Sequence, residues 1–188
     1  MLDRVVPVAI ALLSGVRVGA IAAGHKHSLL VSTSGLLYSC GSGFPAMHGI
    51  DSATFQLVLS PRPVAVLQGV RVLAVSAGFC HSLVLGDAGE VYSFGTDVYG
   101  ALGHGEGQLA ATPRVVQMPV DVKVRSIATG HSASLAVTTT GALYGWGREM
   151  WTDRIVTVNG TSTDVIFSDI IPQQHTPKMF DGLTLMPA

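Results

Sequence analysis

Apolar and polar positions alternate along this chain in short bursts, and the bursts recur in one order three times. Val16–Ala23, Val70–Ala77 and Val122–Thr129 are rich in Val, Ile and Ala, and each is followed by a glycine. Gly15-Val16-Arg17-Val18 and Gly69-Val70-Arg71-Val72 even share all four residues. Two further apolar runs follow in each unit, joined by Thr33-Ser34-Gly35, Asp87-Ala88-Gly89 or Thr139-Thr140-Gly141. A glycine in such a turn supplies the positive φ that tight hairpins need. A further strand begins near a proline, in Arg62-Pro63-Val64, Pro113-Arg114-Val115-Val116 and Pro177-Lys178-Met179. Proline cannot donate to a strand ladder, so it fits a strand start or an edge. Each unit thus predicts four short strands, no segment has a helical period, and the chain reads as all-β.

The units match residue by residue. The first reads Gly24-His25-Lys26-His27-Ser28-Leu29-Leu30-Val31, then Gly35, then Leu37-Tyr38-Ser39-Cys40-Gly41. The second reads Gly78-Phe79-Cys80-His81-Ser82-Leu83-Val84-Leu85, then Gly89, then Val91-Tyr92-Ser93-Phe94-Gly95. The third reads Gly130-His131-Ser132-Ala133-Ser134-Leu135-Ala136-Val137, then Gly141, then Leu143-Tyr144-Gly145-Trp146-Gly147. The copies start 54 and then 52 residues apart. A period near 50 residues means units that cannot bury their apolar faces alone and must stack on neighbours. Four strands per period predict propeller blades. The prolines divide the chain into units 7–60, 61–112 and 113–176, with 177–188 opening a further blade, all within one repeat domain, 1–188.

The punctuation narrows the type of propeller. No unit ends in Trp-Asp, and the chain has no Gly-Gly doublet. The pattern is G-x-x-x-S-L-x-(L/V), a glycine turn and Tyr-x-x-Gly, with Tyr99-Gly100-Ala101-Leu102-Gly103-His104-Gly105 and Thr112-Pro113 in one copy. This resembles the repeat of the regulator of chromosome condensation (RCC1) family from about Pro7 to Pro177. The resemblance makes Gly24, His27, Gly35, Gly41, Gly78, His81, Gly89, Gly95, Gly130, Gly141 and Gly147 structural repeat positions. His27 and His81 match the family histidine, whereas the third copy has Ala133. Trp146 matches the family tryptophan, where the other copies have Cys40 and Phe94. Only the second unit keeps the full glycine-rich segment; Gly43–Ser60 replaces it in the first and the longer Arg148–His175 in the third.

The resemblance implies a ring of seven blades, of which this sequence supplies about three. Such an arc leaves sheet faces and strand edges uncovered. Two arrangements follow: a segment of a larger propeller, or a short chain completed by a partner or by self-association. Only 12% of residues are charged and 48% are hydrophobic, a thin polar skin that fits extensive burial or a partner surface.

Net charge is −1 with 11 Lys plus Arg, and no basic tail or stripe is present, which argues against direct nucleic-acid binding. Cys40 and Cys80 form no C-x-x-C and read as small buried residues in a reducing compartment. The apolar run Val5–Leu13 fits the repeat phase set by Pro7 better than a signal peptide, and no stretch is long enough to span a membrane. Asn159-Gly160-Thr161 is a glycosylation sequon of consequence only in a secreted chain. The expected address is intracellular, whether cytoplasmic, nuclear or cytoskeletal.

Candidate chemistry is sparse. His25 and His27, two apart, would share a face of a strand, but His27 and His81 recur at equivalent sites and need not converge on a metal. Their expected role is structural hydrogen bonding. Ser28, Ser82 and Ser134 are repeat elements outside any G-x-S-x-G. Gly100–Gly107 lacks the lysine of a phosphate loop. Asp87 and Glu90 flank a turn, where solvated charges belong, and no carboxylate pair suggests acid–base work. No catalytic, cofactor or metal residue is assigned.

Function is therefore expected at surfaces. Trp151 lies between Arg148 and Arg154 in the long third insertion, and Trp and Arg are enriched at interface hot spots. Arg148, Trp151, Arg154 and Phe167 are the candidate interface residues. The reading is a non-enzymatic protein-interaction or scaffold module, with Gly43–Ser60 and Arg148–His175 carrying specificity. One alternative, implied by the resemblance, is guanine-nucleotide exchange on a Ran-type small GTPase. Another is a regulatory segment of a larger enzyme such as a kinase or ubiquitin ligase.

Overall fold

The computed structural model describes residues 10, 13, 15–43, 45–50, 57–105, 109–148, 154–158, 161–165 and 174–179. Three antiparallel sheets of four strands account for about half of them. The first holds β1 (Val18–Ala23), β2 (His27–Ser32), β3 (Leu37–Gly41) and β4 (Val58–Pro63) in that spatial order. The second holds β5 (Val72–Ala77), β6 (His81–Gly86), β7 (Val91–Gly95) and β8 (Ala110–Val115). The third holds β9 (Val124–Thr129), β10 (Ala133–Thr138) and β11 (Leu143–Gly147). Between β11 and the strand that completes this sheet runs a separate hairpin, β12 (Arg154–Val158) and β13 (Thr161–Val165), which lies beside β9. The completing strand is β14 (Gln174–Met179).

This grouping shifts the unit boundaries read from the prolines. The proline strand closes the preceding sheet instead of opening the next, because after β3, β7 or β11 the chain returns to pair with that same strand. Gln174–Met179 is accordingly the fourth strand of the third blade and not the start of a further one. Among the described residues, helical structure is limited to short 3-10 turns such as Pro45–His48, Ala65–Leu67 and Val98–Gly100.

The sheets stack face to face, with the first strands β1, β5 and β9 side by side. The central strands face a neighbour on both sides, so their alternation divides apolar residues between two seams. All six residues of β6 are buried. Val84 joins Leu29, Val31, Leu37, Val72 and Phe94 between the first two blades. Leu83 and Leu85 join Val91, Val124, Ala136, Tyr144 and Trp146 between the second and third. Each fully buried side chain of this size contributes about 1.5–3 kcal/mol, so the seams carry much of the stability. The first blade shows the same face uncovered. Val18 is 40% exposed where its equivalents Val72 and Val124 are each 3% exposed.

Candidate functional site

The repeated histidines and serines meet across the seams. Ser82 donates its hydroxyl proton to Met47 O at 3.2 Å, so its oxygen accepts from His27 Nε2 at 2.9 Å. One blade on, Ser134 donates to Ala101 O at 2.8 Å and accepts from His81 Nε2 at 3.0 Å. Each imidazole reaches from its own blade into the next, and each receiving serine passes its proton to a loop of the blade that sent the imidazole. Trp146 Nε1 adds a second donor to Ala101 O at 2.9 Å. Blades approach so closely here that a Cβ on Gly24 would stand 2.6 Å from Gly78 O.

The acceptors Met47 O and Ala101 O occupy equivalent positions in segments of very different sequence. Ala46, Met47 and His48 are buried, and Ser39 Oγ and His48 Nδ1 are hydrogen-bonded at 2.8 Å. In the second blade the equivalent Ser93 Oγ donates to Leu102 O at 2.7 Å. The 45–49 part of the first insertion, expected to be a specificity loop, is thus a plug that fills the seam.

Burial keeps the seam imidazoles neutral. His27 is pulled down to about 4, chiefly by burial and secondarily by His48, whose ring centroid is 6.4 Å away. Its Nδ1 is buried without a hydrogen-bond partner, so a second proton would find no acceptor. His81 is held at about 3 by burial, with a smaller push from His27. Burial also lowers His48 and His104. These serines therefore lack the free base that a nucleophile needs, since each imidazole is already the donor in the pair. Among the described residues no group of three His, Cys, Asp or Glu could hold a metal ion.

A second constellation lies at the ends of β1, β5 and β9. His25, Phe79 and His131 each follow the repeat glycine, and their rings stack across three blades. Centroids are 4.3 Å apart at 27° for His25–Phe79 and 4.2 Å at 18° for Phe79–His131. The backbone fixes the ladder, because His25 N–H donates to Gly78 O at 3.2 Å and Phe79 N–H to His131 O at 3.1 Å. The rings border an open cavity of about 350 Å³. His25 is exposed and belongs to the turn, whereas His27 is buried in β2, so the two histidines do not share a face. This ladder is invisible as a motif because the residue types differ. Its signal is a ring residue directly after each repeat glycine.

Among the candidate interface residues, Arg148 is exposed and its guanidinium sits 5.5 Å from the centroid of the Tyr99 ring, a cation–π contact between the third and second blades. Arg154 begins β12. Trp151 and Phe167 lie outside the described residues. Cys40 and Cys80 are free and half-buried, and burial raises both thiols. Glu90 is less solvated than its turn position predicts: Oε1 accepts from the Tyr92 hydroxyl at 3.3 Å and Oε2 is buried.

Three stacked four-stranded blades locked by equivalent residues define a β-propeller repeat protein. An RCC1 repeat model matches residues 88–137, and a second matches 72–101. The ultraviolet-B receptor UVR8 of Arabidopsis thaliana is 32% identical over 145 residues, covering 77% of this chain and 32% of the receptor. The human E3 ubiquitin-protein ligase HERC2 is 35% identical over 138 residues, 72% of this chain and 3% of the ligase. Among solved structures, human WBSCR16 superposes with a TM-score of 0.69 at 22% identity, covering 89% of this chain and 40% of that one. Prp20p of Saccharomyces cerevisiae gives 0.69 at 21% identity, over 92% and 41% respectively. The chain is an RCC1-like repeat protein, and it spans about a third of the length of UVR8. Among the described residues no helix is long and apolar enough to cross a membrane.

Proposed function

We propose that this chain is a non-enzymatic protein-interaction module. One observation carries the reading: the repeated His and Ser side chains are buried and paired within the seams, where they hold blades together. A rigid frame that varies only at its rim and insertions is suited to binding and poorly suited to bond-breaking chemistry. The long insertion between β11 and β14 is assigned the partner contact, with Arg148, Trp151, Arg154 and Phe167 as its contact residues. Similarity to a protein whose solved structure concerns binding to Gsp1p and histones supports a protein partner.

The test is capture of a defined partner by the full chain, compared with a chain in which a short Gly-Ser linker replaces residues 149–173. The reading expects at least tenfold weaker capture by the shortened chain, with unchanged circular dichroism from the remaining sheets. Equal capture by both chains would refute the assignment of the insertion, and absence of any defined partner would refute the module. A second reading, a regulatory segment of a larger enzyme, draws on the identity with HERC2 over 3% of that ligase. Guanine-nucleotide exchange is the third, and unchanged nucleotide release from a Ran-type GTPase at saturating chain would dismiss it.

A further inference from the structure

We infer that the ring ladder at the ends of β1, β5 and β9 is a docking groove for a short acidic segment of a partner protein. The inference rests on the interaction-module reading but places a second surface away from the long insertion. His25 is exposed, and Phe79 and His131 are only half-buried, so the stacked rings are not core. The two centroid intervals together span at most about 8.5 Å, the reach of roughly two to three residues of extended chain at about 3.3 Å each. The 350 Å³ cavity along the ladder adjoins a smaller one of about 110 Å³ between the first two blades, and both are bordered by His25 and Phe79.

The chemistry of these walls selects the occupant. Among the described residues, the ionisable groups lining the two cavities are two imidazoles, the Lys26 ammonium and the Cys80 thiol, with no carboxylate. Lys26 is exposed. Gly78 O accepts from His25 N–H and His131 O from Phe79 N–H, so these backbone groups hold the ladder together and the Lys26 ammonium is the charged donor beside it. His131 Nδ1 is fixed on Ser132 Oγ at 2.8 Å, which orients the ring and leaves Nε2 as its other nitrogen. A groove whose described lining carries an exposed ammonium and no carboxylate complements an anion, while half-buried Phe79 offers apolar surface for a neighbouring side chain. A single lysine cannot neutralise a run of phosphates, so the surface favours a short acidic peptide over a nucleic acid.

The probe is a fluorescein-labelled Asp-Glu-Leu-Asp-Glu peptide, with its amide counterpart Asn-Gln-Leu-Asn-Gln, followed by anisotropy against the full chain. Saturable binding of the acidic peptide, at least tenfold weaker for the amide, is expected. Lys26→Glu and Phe79→Ala each weaken it by fivefold or more, and Phe79→Tyr keeps it within twofold. In the unmodified chain, NMR resonances of the His25 and His131 rings shift on titration, a readout that needs no variant. Absence of saturable binding, equal binding of both peptides, or indifference to both variants overturns the inference. So does equal competition by an oligothymidylate, which would reassign the surface to nucleic acid. The chain lacking residues 149–173 still binds the peptide if the groove is separate. Peptide failure with insertion-dependent partner capture intact removes this inference alone; failure of both removes the module reading as well.

Discussion

Acidification from pH 7.5 to 4.5 loosens the blade seams through two buried imidazoles. In the unfolded chain His27 and His81 return to an ordinary value of 6.5 and are almost fully protonated at pH 4.5. In the folded chain they are held at about 4 and about 3, so both remain largely neutral at that pH. Their stabilising contribution is complete above pH 6.5, where both states are neutral. It is lost as pH falls through that value, because the unfolded chain binds protons that the folded chain refuses. The difference at pH 4.5 is about 2.5 kcal/mol for each group and about 5 kcal/mol for the pair, as an upper bound. The assay is urea unfolding at half-unit pH intervals, followed by circular dichroism. The control is H27Q/H81Q, which keeps a side-chain donor toward Ser82 and Ser134 but cannot titrate. The variant is less stable at pH 7.5 yet loses far less than the parent on going to pH 4.5. If parent and variant midpoints fall by the same amount, the seams are not the acid-sensitive element and the reasoning fails.

Other perturbations read other parts of the same seams. Gly95 has φ 124°, and a Cβ there would run into Cys80 O, so Gly95→Ala costs at least about 2–3 kcal/mol and lowers the melting temperature by several degrees. Trp146 is fully buried and donates to Ala101 O, so Trp146→Phe costs about 1–3 kcal/mol in urea unfolding through the lost bond and lost volume. Burial raises the thiols of Cys40 and Cys80, so both react slowly with a disulfide reagent at pH 7.5, much faster above pH 9, and completely on unfolding. A rapid reaction of both thiols at pH 7.5 in the folded chain would contradict their half-buried placement.

The blades were legible because their requirements fall on residue type. Close approach and tight turns demand glycine, two-sided burial demands runs such as Leu83-Val84-Leu85, and those demands recur at fixed offsets. The seam plug was not legible, because Met47 and Ala101 act through backbone carbonyls that any residue supplies. Gly43–Ser60 therefore reads as an irregular loop although residues 45–49 do what the glycine-rich segment does one blade later. The phase of the sheets is hidden in the sequence for a related reason. A proline marks where a strand lies but not which neighbour it pairs with, and Pro177 belongs to the sheet before it. The ring ladder is not legible in the sequence, because stacking accepts imidazole or phenyl alike and His25, Phe79 and His131 look unrelated until their positions are superposed.

The seam bonds also have a direction. In both described seams an imidazole from one blade donates to a hydroxyl of the following blade. The two faces of a blade are therefore different connectors, like plug and socket, and a symmetric face-to-face pairing of two copies cannot reproduce the bond; head-to-tail stacking, which would set Ala133 of one copy opposite Ser28 of the next, cannot form it either. The connectors are also individually keyed: the first and second blades present His27 and His81, but the third presents Ala133 at the same place. The order of the blades is thus part of the structure. Moving the third unit ahead of the second would set a methyl group opposite Ser82 and remove one of the two imidazole links that hold the arc in sequence.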